Sequence, residues 1–202
     1  DLGTSMVIWT TTPWTLPANM AVAVHPREQY SKLKVGREHY WVGESLIGQF
    51  TEVCKFENFE IVDTQEGSSL VGKECIHPFI DRSSPILSAE YVTMDSGTGC
   101  VHIAPGHGLD DYLTGLDNGI EVYCPLDDKG CYVADGSIPE ELTGLSVLER
   151  SNGCAANQKV IEILERGNLL LAKQSHHHQY PHCWRSKTPV VFRAMDQWFV
   201  AL

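Results

Sequence analysis

Apolar and polar residues alternate in short runs along most of the chain, and a period of two predicts strands. Such runs cover residues 4–12, 20–24, 30–35, 38–42, 59–64, 70–75 and 86–92, separated by Gly, Ser and Pro. Gly36-Arg37 predicts a hairpin, and Asp127-Asp128-Lys129-Gly130 predicts a second one joining 122–125 to 131–134. Helical spacing is confined to three places. Residues 45–54 put Leu46, Ile47, Phe50 and Val53 on one side. Residues 110–116 form a short helix stopped near Asn118-Gly119, and residues 155–166 align Val160, Ile163 and Leu164 before Gly167. A last short strand, 169–173, runs into a His-rich stretch. Many short strands with few helices predict a mainly β barrel or sandwich with helices outside it. There is no strand–helix alternation and no Gly-rich phosphate loop, so no Rossmann core is expected within the segment.

The densest chemistry lies between Ser96 and Tyr112. A Gly97-Thr98-Gly99 turn leads into a short apolar strand, which Pro105 and Gly106-His107-Gly108 close, and a helix then opens with Asp110 and Asp111. Glycine lets backbone amides approach a ligand, and a helix N-terminus favours negative charge. Imidazoles, carboxylates and amides thus gather around one loop, as a polar active site needs. The plain alternative is a strand–loop–helix corner with a capped helix. Earlier in the chain, Thr10, Thr11 and Thr12 precede Pro13, which keeps Thr12 extended. In a strand Thr10 and Thr12 share one face and Thr11 takes the other; ordinary strand threonines are the alternative. His102, His107, Asp110, Asp111 and the three hydroxyls can position a water and fix a substrate amine without a metal or a protein nucleophile. Nothing in the sequence brings the two regions together.

Other chemistries fit less well. His176, His177, His178, His182 and Cys183 are candidate zinc ligands, but consecutive strand residues face opposite ways, and Ser186 stands where a Cys-x-x-Cys partner of Cys183 would be. No metal site is expected. There is no Gly-x-Ser-x-Gly elbow for covalent hydrolysis.

The 202 residues, 43% of them hydrophobic, suffice for one sizeable domain. No apolar run approaches the roughly 20 residues that span a bilayer, so no membrane partner is expected. A net charge of −11 argues against wide contact with a phosphate backbone, with Lys32, Lys34, Arg37, Lys187 and Arg193 the few basic positions of note. Gripping the end of a single strand remains compatible. Seven cysteines without a Cys-x-x-Cys or a secretory signal predict a reduced, cytoplasmic protein. Both ends fall in apolar runs, which predicts a domain cut from a longer polypeptide, with termini close together.

Longer motifs carry a resemblance. Trp9-Thr10-Thr11-Thr12-Pro13-Trp14-Thr15-Leu16-Pro17-Ala18-Asn19 resembles the threonine-rich motif of the editing domain of isoleucyl-tRNA synthetases. Gly97-Thr98-Gly99-Cys100-Val101-His102-Ile103-Ala104-Pro105-Gly106-His107-Gly108-Leu109-Asp110-Asp111-Tyr112 resembles the second editing motif. Tyr180-Pro181-His182-Cys183-Trp184-Arg185, through Phe192-Arg193 to Gln197-Trp198-Phe199, resembles the return strand towards the synthetic core. Ser186 departs from relatives that carry cysteine there.

The resemblance implies one editing domain over 1–202 (connective peptide 1), excised from a class I synthetase, with 180–202 leading back to the synthetic domain. It implies a closed β-barrel core with peripheral helices. The implied reaction is hydrolysis of mischarged valyl-tRNA(Ile), with valyl-adenylate as a further substrate; a non-catalytic module that binds the tRNA acceptor end is the alternative. The partners would be the 3′ end of tRNA(Ile) carrying valine and the rest of the synthetase. No cofactor is implied here, ATP and Mg2+ being expected only in the synthetic domain. Thr10, Thr11, Thr12 and Asp111 take catalytic roles by the resemblance: the threonines hold the terminal ribose and help place the water, and Asp111 binds the α-ammonium. His102 shapes the side-chain pocket, and Trp14, Gly106 and His107 complete the substrate site. Chemistry agrees. A carboxylate at a helix start is a strong partner for an ammonium, and an activated ester needs little beyond a placed water and a stabilised oxyanion. Backbone amides of residues 106–108 are the expected oxyanion donors. No protein general base stands out, and a ribose hydroxyl of the substrate can orient the water instead.

Overall fold

The computed structural model describes residues 3–148, 153–175 and 181–200. Among them eight strands form two four-stranded sheets: β1 (Thr4–Met6), β2 (Ala21–Val24), β3 (Gln29–Val35), β4 (Glu38–Gly43), β5 (Glu60–Glu66), β6 (Glu74–Ile76), β7 (Ser83–Ser88) and β8 (Cys100–Ile103). The first sheet runs β1-β4-β3-β5 and the second β6-β7-β2-β8. Each mixes one parallel pair, β1 with β4 and β2 with β7, with antiparallel pairs. The hairpin expected around Gly36-Arg37 forms, pairing Val35 with Glu38.

The closed, mainly β barrel does not form. Neither sheet closes, and helix and strand take comparable shares, about 23% and 25%, so the fold is mixed α/β. Closure needs every strand edge paired. Here the two sheets meet through Gly43 N–H donating to the Thr98 carbonyl (2.8 Å), while the edge strands β1 and β6 are only three residues long. A ladder that short cannot carry a barrel seam.

β2 is buried along its whole length, which fits its central place beside a parallel neighbour. Its alternation still sorts the core. Val22 and Val24 face Tyr30, Trp41, Leu70, Ile86 and Cys100, whereas Ala21 and Ala23 face Leu87, Val92 and Ile103. His102 pairs with Val22 in the register of β8 on β2, so the two share a face.

Three α-helices lie where the spacing predicts them: α1 (Ile47–Cys54), α2 (Leu109–Asp117) and α3 (Ala155–Arg166). α3 buries Val160, Ile163 and Leu164 against Trp14 and Leu16. Other expectations fail for local reasons. The run 4–12 is a strand only to Met6, because Pro13 and Pro17 turn the following chain into a 3-10 helix, Pro13–Ala18. Residues 70–73 are a turn, with Lys73 N–H on the Leu70 carbonyl, and the run 86–92 is a strand only to Ser88. The second hairpin shrinks to one bridge, Leu126 with Tyr132, since Asp127 Oδ1 accepts the Lys129 and Cys131 amides that a ladder would use (2.9 and 2.8 Å). Residues 169–173 form no strand. No helix among the described residues is long and apolar enough to cross a membrane.

Candidate active site

Thr10, Thr11 and Thr12 do not present strand faces. They form a turn: Thr12 N–H donates to Thr10 Oγ1 (3.0 Å), and the Thr12 carbonyl accepts both the amide and the hydroxyl of Thr15 (3.0 and 2.9 Å). The three side chains are half-buried. The 3-10 helix behind them is tied to the rest of the chain along Trp14–Pro17. Trp14 N–H donates to Asn157 Oδ1 of α3 (2.8 Å), and Tyr132 Oη–H donates to the Trp14 carbonyl. His77 Nε2 donates to the Leu16 carbonyl (2.9 Å), and Arg82 caps the Pro17 and Asn19 carbonyls (3.1 and 2.8 Å).

The second motif reaches this helix through one bond. Thr15 Oγ1 lies 3.0 Å from His102 Nε2. The single Thr15 hydroxyl proton goes to the Thr12 carbonyl, which can only accept, so His102 must donate from Nε2. Nδ1 then carries a lone pair, buried and without a partner among the described residues. Burial, followed by the neighbouring His77 and His107, pushes the ring down to about 4, so it is neutral at physiological pH.

A cavity of about 1740 Å³ opens between the sheets, lined at this end by Trp9, Thr10, Thr11, Leu16, His77 and His102 and by the Gly97 turn. The turn requires glycine: Gly97 and Gly99 have φ of +76° and +73°. Of the expected site residues, Thr10, Thr11 and His102 line this cavity; Thr12, Trp14, Gly106, His107 and Asp111 do not.

Thr12 and Trp14 belong to the threonine turn and the 3-10 helix, whereas Gly106 and His107 lie in the loop that follows β8 and Asp111 in the helix that loop leads into. Asp111, in the first turn of α2, accepts the Ala104 amide on Oδ2 (2.8 Å). Its carboxyl is half-buried, and burial raises its pKa against the lowering effect of that bond. Oδ1 has no hydrogen-bond partner among the described residues. His107 stands edge-on to Trp14, with ring centroids 5.0 Å apart, and its Nδ1 donates to the Phe192 carbonyl (3.1 Å). The His107 amide is spent on the Ala104 carbonyl (2.8 Å), so it is not available as the expected oxyanion donor.

The family model described as Leucyl-tRNA synthetase, editing domain, matches residues 3–130, which hold both motifs. The chain belongs to this editing-domain family. It is 50% identical over 197 residues to the isoleucine–tRNA ligase of Nitratidesulfovibrio vulgaris (strain Miyazaki F), covering 98% of this chain and 20% of that one. It is 42% identical over 199 residues to the isoleucine–tRNA ligase of Petrotoga mobilis, with 98% and 21% covered. The chain therefore spans about a fifth of the length of these relatives. The crystal structure of GlLeuRS-CP1 shares the fold, with a TM-score of 0.50 at 19% identity over 82% of this editing domain and 63% of that chain.

Two contributors to the site escape sequence reasoning. Thr15 was visible only as part of the longer motif, and His77 stands alone between Ile76 and Pro78 with no pattern around it. His77 Nδ1 accepts the Phe79 and Ile80 amides (3.3 and 3.2 Å), so its ring is fully committed to structure. Among the described residues no group of three or more His, Cys, Asp or Glu is placed to hold a metal ion. His176, His177 and His178 lie outside the described residues.

Proposed function

We propose that this editing domain belongs to an isoleucine–tRNA ligase and hydrolyses the ester of mischarged valyl-tRNA(Ile), with valyl-adenylate as a second substrate. The observation that carries the reading is the bond chain from Thr12 through Thr15 to His102, which joins the two editing motifs at one end of a cavity. The 3′ end of the tRNA enters that cavity, and Thr10 and Thr11 meet the terminal ribose. A neutral His102 forms the wall against which the valine side chain rests. The family resemblance gives the α-ammonium to Asp111, which lies outside the cavity lining at the start of α2 and keeps Oδ1 for a charge-assisted bond in a half-buried place.

The ester needs no protein nucleophile. A water held near the threonine turn attacks the carbonyl carbon, and the ribose oxygen leaves with a proton. The neighbouring ribose hydroxyl orients the water. Positioning supplies most of the acceleration. The chemistry calls for no cofactor in this domain; ATP and Mg2+ belong with the synthetic part of the ligase, in the cytoplasm.

Deacylation of valyl-tRNA(Ile) by this chain, alone and within the complete ligase, tests the reading. Release of valine at a rate above the spontaneous one supports it. Binding of the acceptor end without turnover assigns a non-catalytic module instead.

A further inference from the structure

Residues 192–194 pass over the loop of the second motif. Phe192 and Ala194 bracket that loop: His107 Nδ1 donates to the Phe192 carbonyl (3.1 Å), and Ala194 N–H donates to the Gly106 carbonyl (2.8 Å). Between them, Arg193 reaches back to residues 126–128. Its guanidinium donates to the Leu126 carbonyl (3.2 Å) and to Asp128 Oδ1 (2.6 Å). The other side of the loop rests on the same stretch of chain. A Cβ on Gly106 would stand 2.3 Å from the Tyr123 carbonyl oxygen and 2.9 Å from Cys124 Cβ, so the loop has no slack in that direction. Residues 123–128, the loop at 106–107 and residues 192–194 thus form a three-layer clamp with Arg193 as its tie.

We propose that Arg193 is a positioning residue for editing: it holds Phe192 and Ala194 on the Gly106-His107 loop, and so sets the start of α2 where Asp111 meets the substrate ammonium. This rests on the deacylase reading above. The guanidinium also makes a long contact with Met195 Sδ (3.8 Å), and its two bonds to oxygen are unequal. The Arg193 side chain is only 16% exposed whereas Asp128 is 91% exposed, so the ion pair sits in water and contributes little. The Leu126 carbonyl is the anchor, because a charge-assisted bond to a backbone acceptor fixes both partners. His107 depends on the clamp as well. Its Nε2 is buried without a partner among the described residues, so the ring is oriented by the Phe192 bond and the edge of Trp14. Asp111 follows His107 by four positions, and a tilt of the loop displaces the carboxylate with it.

The test uses the full-length chain with valyl-tRNA(Ile), measuring kcat and KM separately, with melting curves and hydrogen exchange. Arg193→Ala should lower kcat by about 10- to 100-fold, the usual cost of a displacement near 1 Å, with KM changed by less than about threefold. Arg193→Lys should recover part of the loss, since an ammonium can still reach the Leu126 carbonyl. Asp128→Ala should stay within about twofold of the parent. In an Asp111→Ala background, Arg193→Ala should add nothing, because both act on one element. The Ala194 amide should exchange faster in Arg193→Ala. Additive losses, an Asp128→Ala effect equal to that of Arg193→Ala, or an unchanged Ala194 exchange rate would each overturn the proposal. If Arg193→Ala does not melt cooperatively, Ala194→Pro deletes the bond to Gly106 instead; a parental kcat in that variant overturns the clamp. If the unmodified chain releases no valine, the deacylase reading falls, and the exchange measurement decides the clamp by itself.

Discussion

Thr15 Oγ1 stands 3.0 Å from His102 Nε2 and 2.9 Å from the Thr12 carbonyl, so one hydroxyl sets both the tautomer of the histidine and the closing bond of the threonine turn. Thr15→Val keeps the shape and removes both bonds. His102 is then left with two unpaired ring nitrogens in a buried place, a loss of about 1–3 kcal/mol. A shift in the urea midpoint of that size is expected, with Thr15→Ser close to the parent. A Thr15→Val protein as stable as the parent would show that the bond does not organise the site.

His102 should separate valine from isoleucine. Its ring is locked by Thr15 and by the pairing of β8 on β2, so it cannot retreat from an extra methylene. Forcing a methylene into a packed wall costs about 1–3 kcal/mol. His102→Ala is expected to keep hydrolysis of valyl-tRNA(Ile) and to raise hydrolysis of correctly charged isoleucyl-tRNA by roughly 5- to 150-fold. Parallel deacylation of the two charged tRNAs checks this. Continued protection of isoleucyl-tRNA in a well-folded variant would remove the histidine from the sieve.

On the proposed reading Asp111 has two jobs, holding the Ala104 amide and pairing with the ammonium, and a pair of variants separates them. Asp111→Asn still offers an oxygen to the Ala104 amide but carries no charge, whereas Asp111→Ala loses both. Both should lose transition-state stabilisation worth about 2–5 kcal/mol, read from kcat/KM. Only the alanine variant should also melt lower. Parental activity in Asp111→Asn would show that the carboxylate does not pair with the ammonium.

Stability should fall in mild acid. Burial holds His77 and His102 neutral, each near 4 rather than 6.5. Between those values the unfolded chain binds more protons than the folded one, so this stabilisation is complete above about 6.5 and declines as pH falls towards 4. Each ring contributes on the order of 3 kcal/mol across the full window. Asp111, with its raised pKa, works in the opposite sense, losing its share as pH rises from 3.8 through that raised value. Chemical denaturation between pH 7 and 4.5 measures the balance, and the histidines should dominate. A flat profile would mean that the rings are reached by solvent.

Gly106→Ala should be among the most damaging small changes. The added carbon meets a backbone oxygen at 2.3 Å, and backbone cannot swing aside as a side chain can. A loss of about 1–3 kcal/mol or more is expected in thermal or urea unfolding. A parental melting temperature would show that residues 123–124 yield easily.

Much of this was legible in the residues. The helix over Ala155–Arg166 was readable because its apolar stripe, its following Gly167 and its length all agree. β8 and the start of α2 were readable from the glycine turn and the paired acids. The barrel was not, because strand count alone says nothing about closure, and closure failed on the length of β1 and β6. The threonine face failed for a different reason: Pro13 and Pro17 favour a 3-10 turn over extension, and the turn takes Thr12 with it. The role of His77 was invisible because its partner, the Leu16 carbonyl, is 61 residues away.

The Pro13–Ala18 helix also dictates an order of assembly. Its bonds span 61, 65, 87, 118 and 143 residues of sequence. Contacts that distant are slow to close, since a long loop must be ordered before they reward it. On the ribosome, at about 5–20 residues per second, the Trp14 amide waits roughly 7–30 s for Asn157 to be made. The stretch nearest the start of the domain is therefore among the last to become rigid, and the nascent chain carries its threonine turn unfinished until α3 has been made.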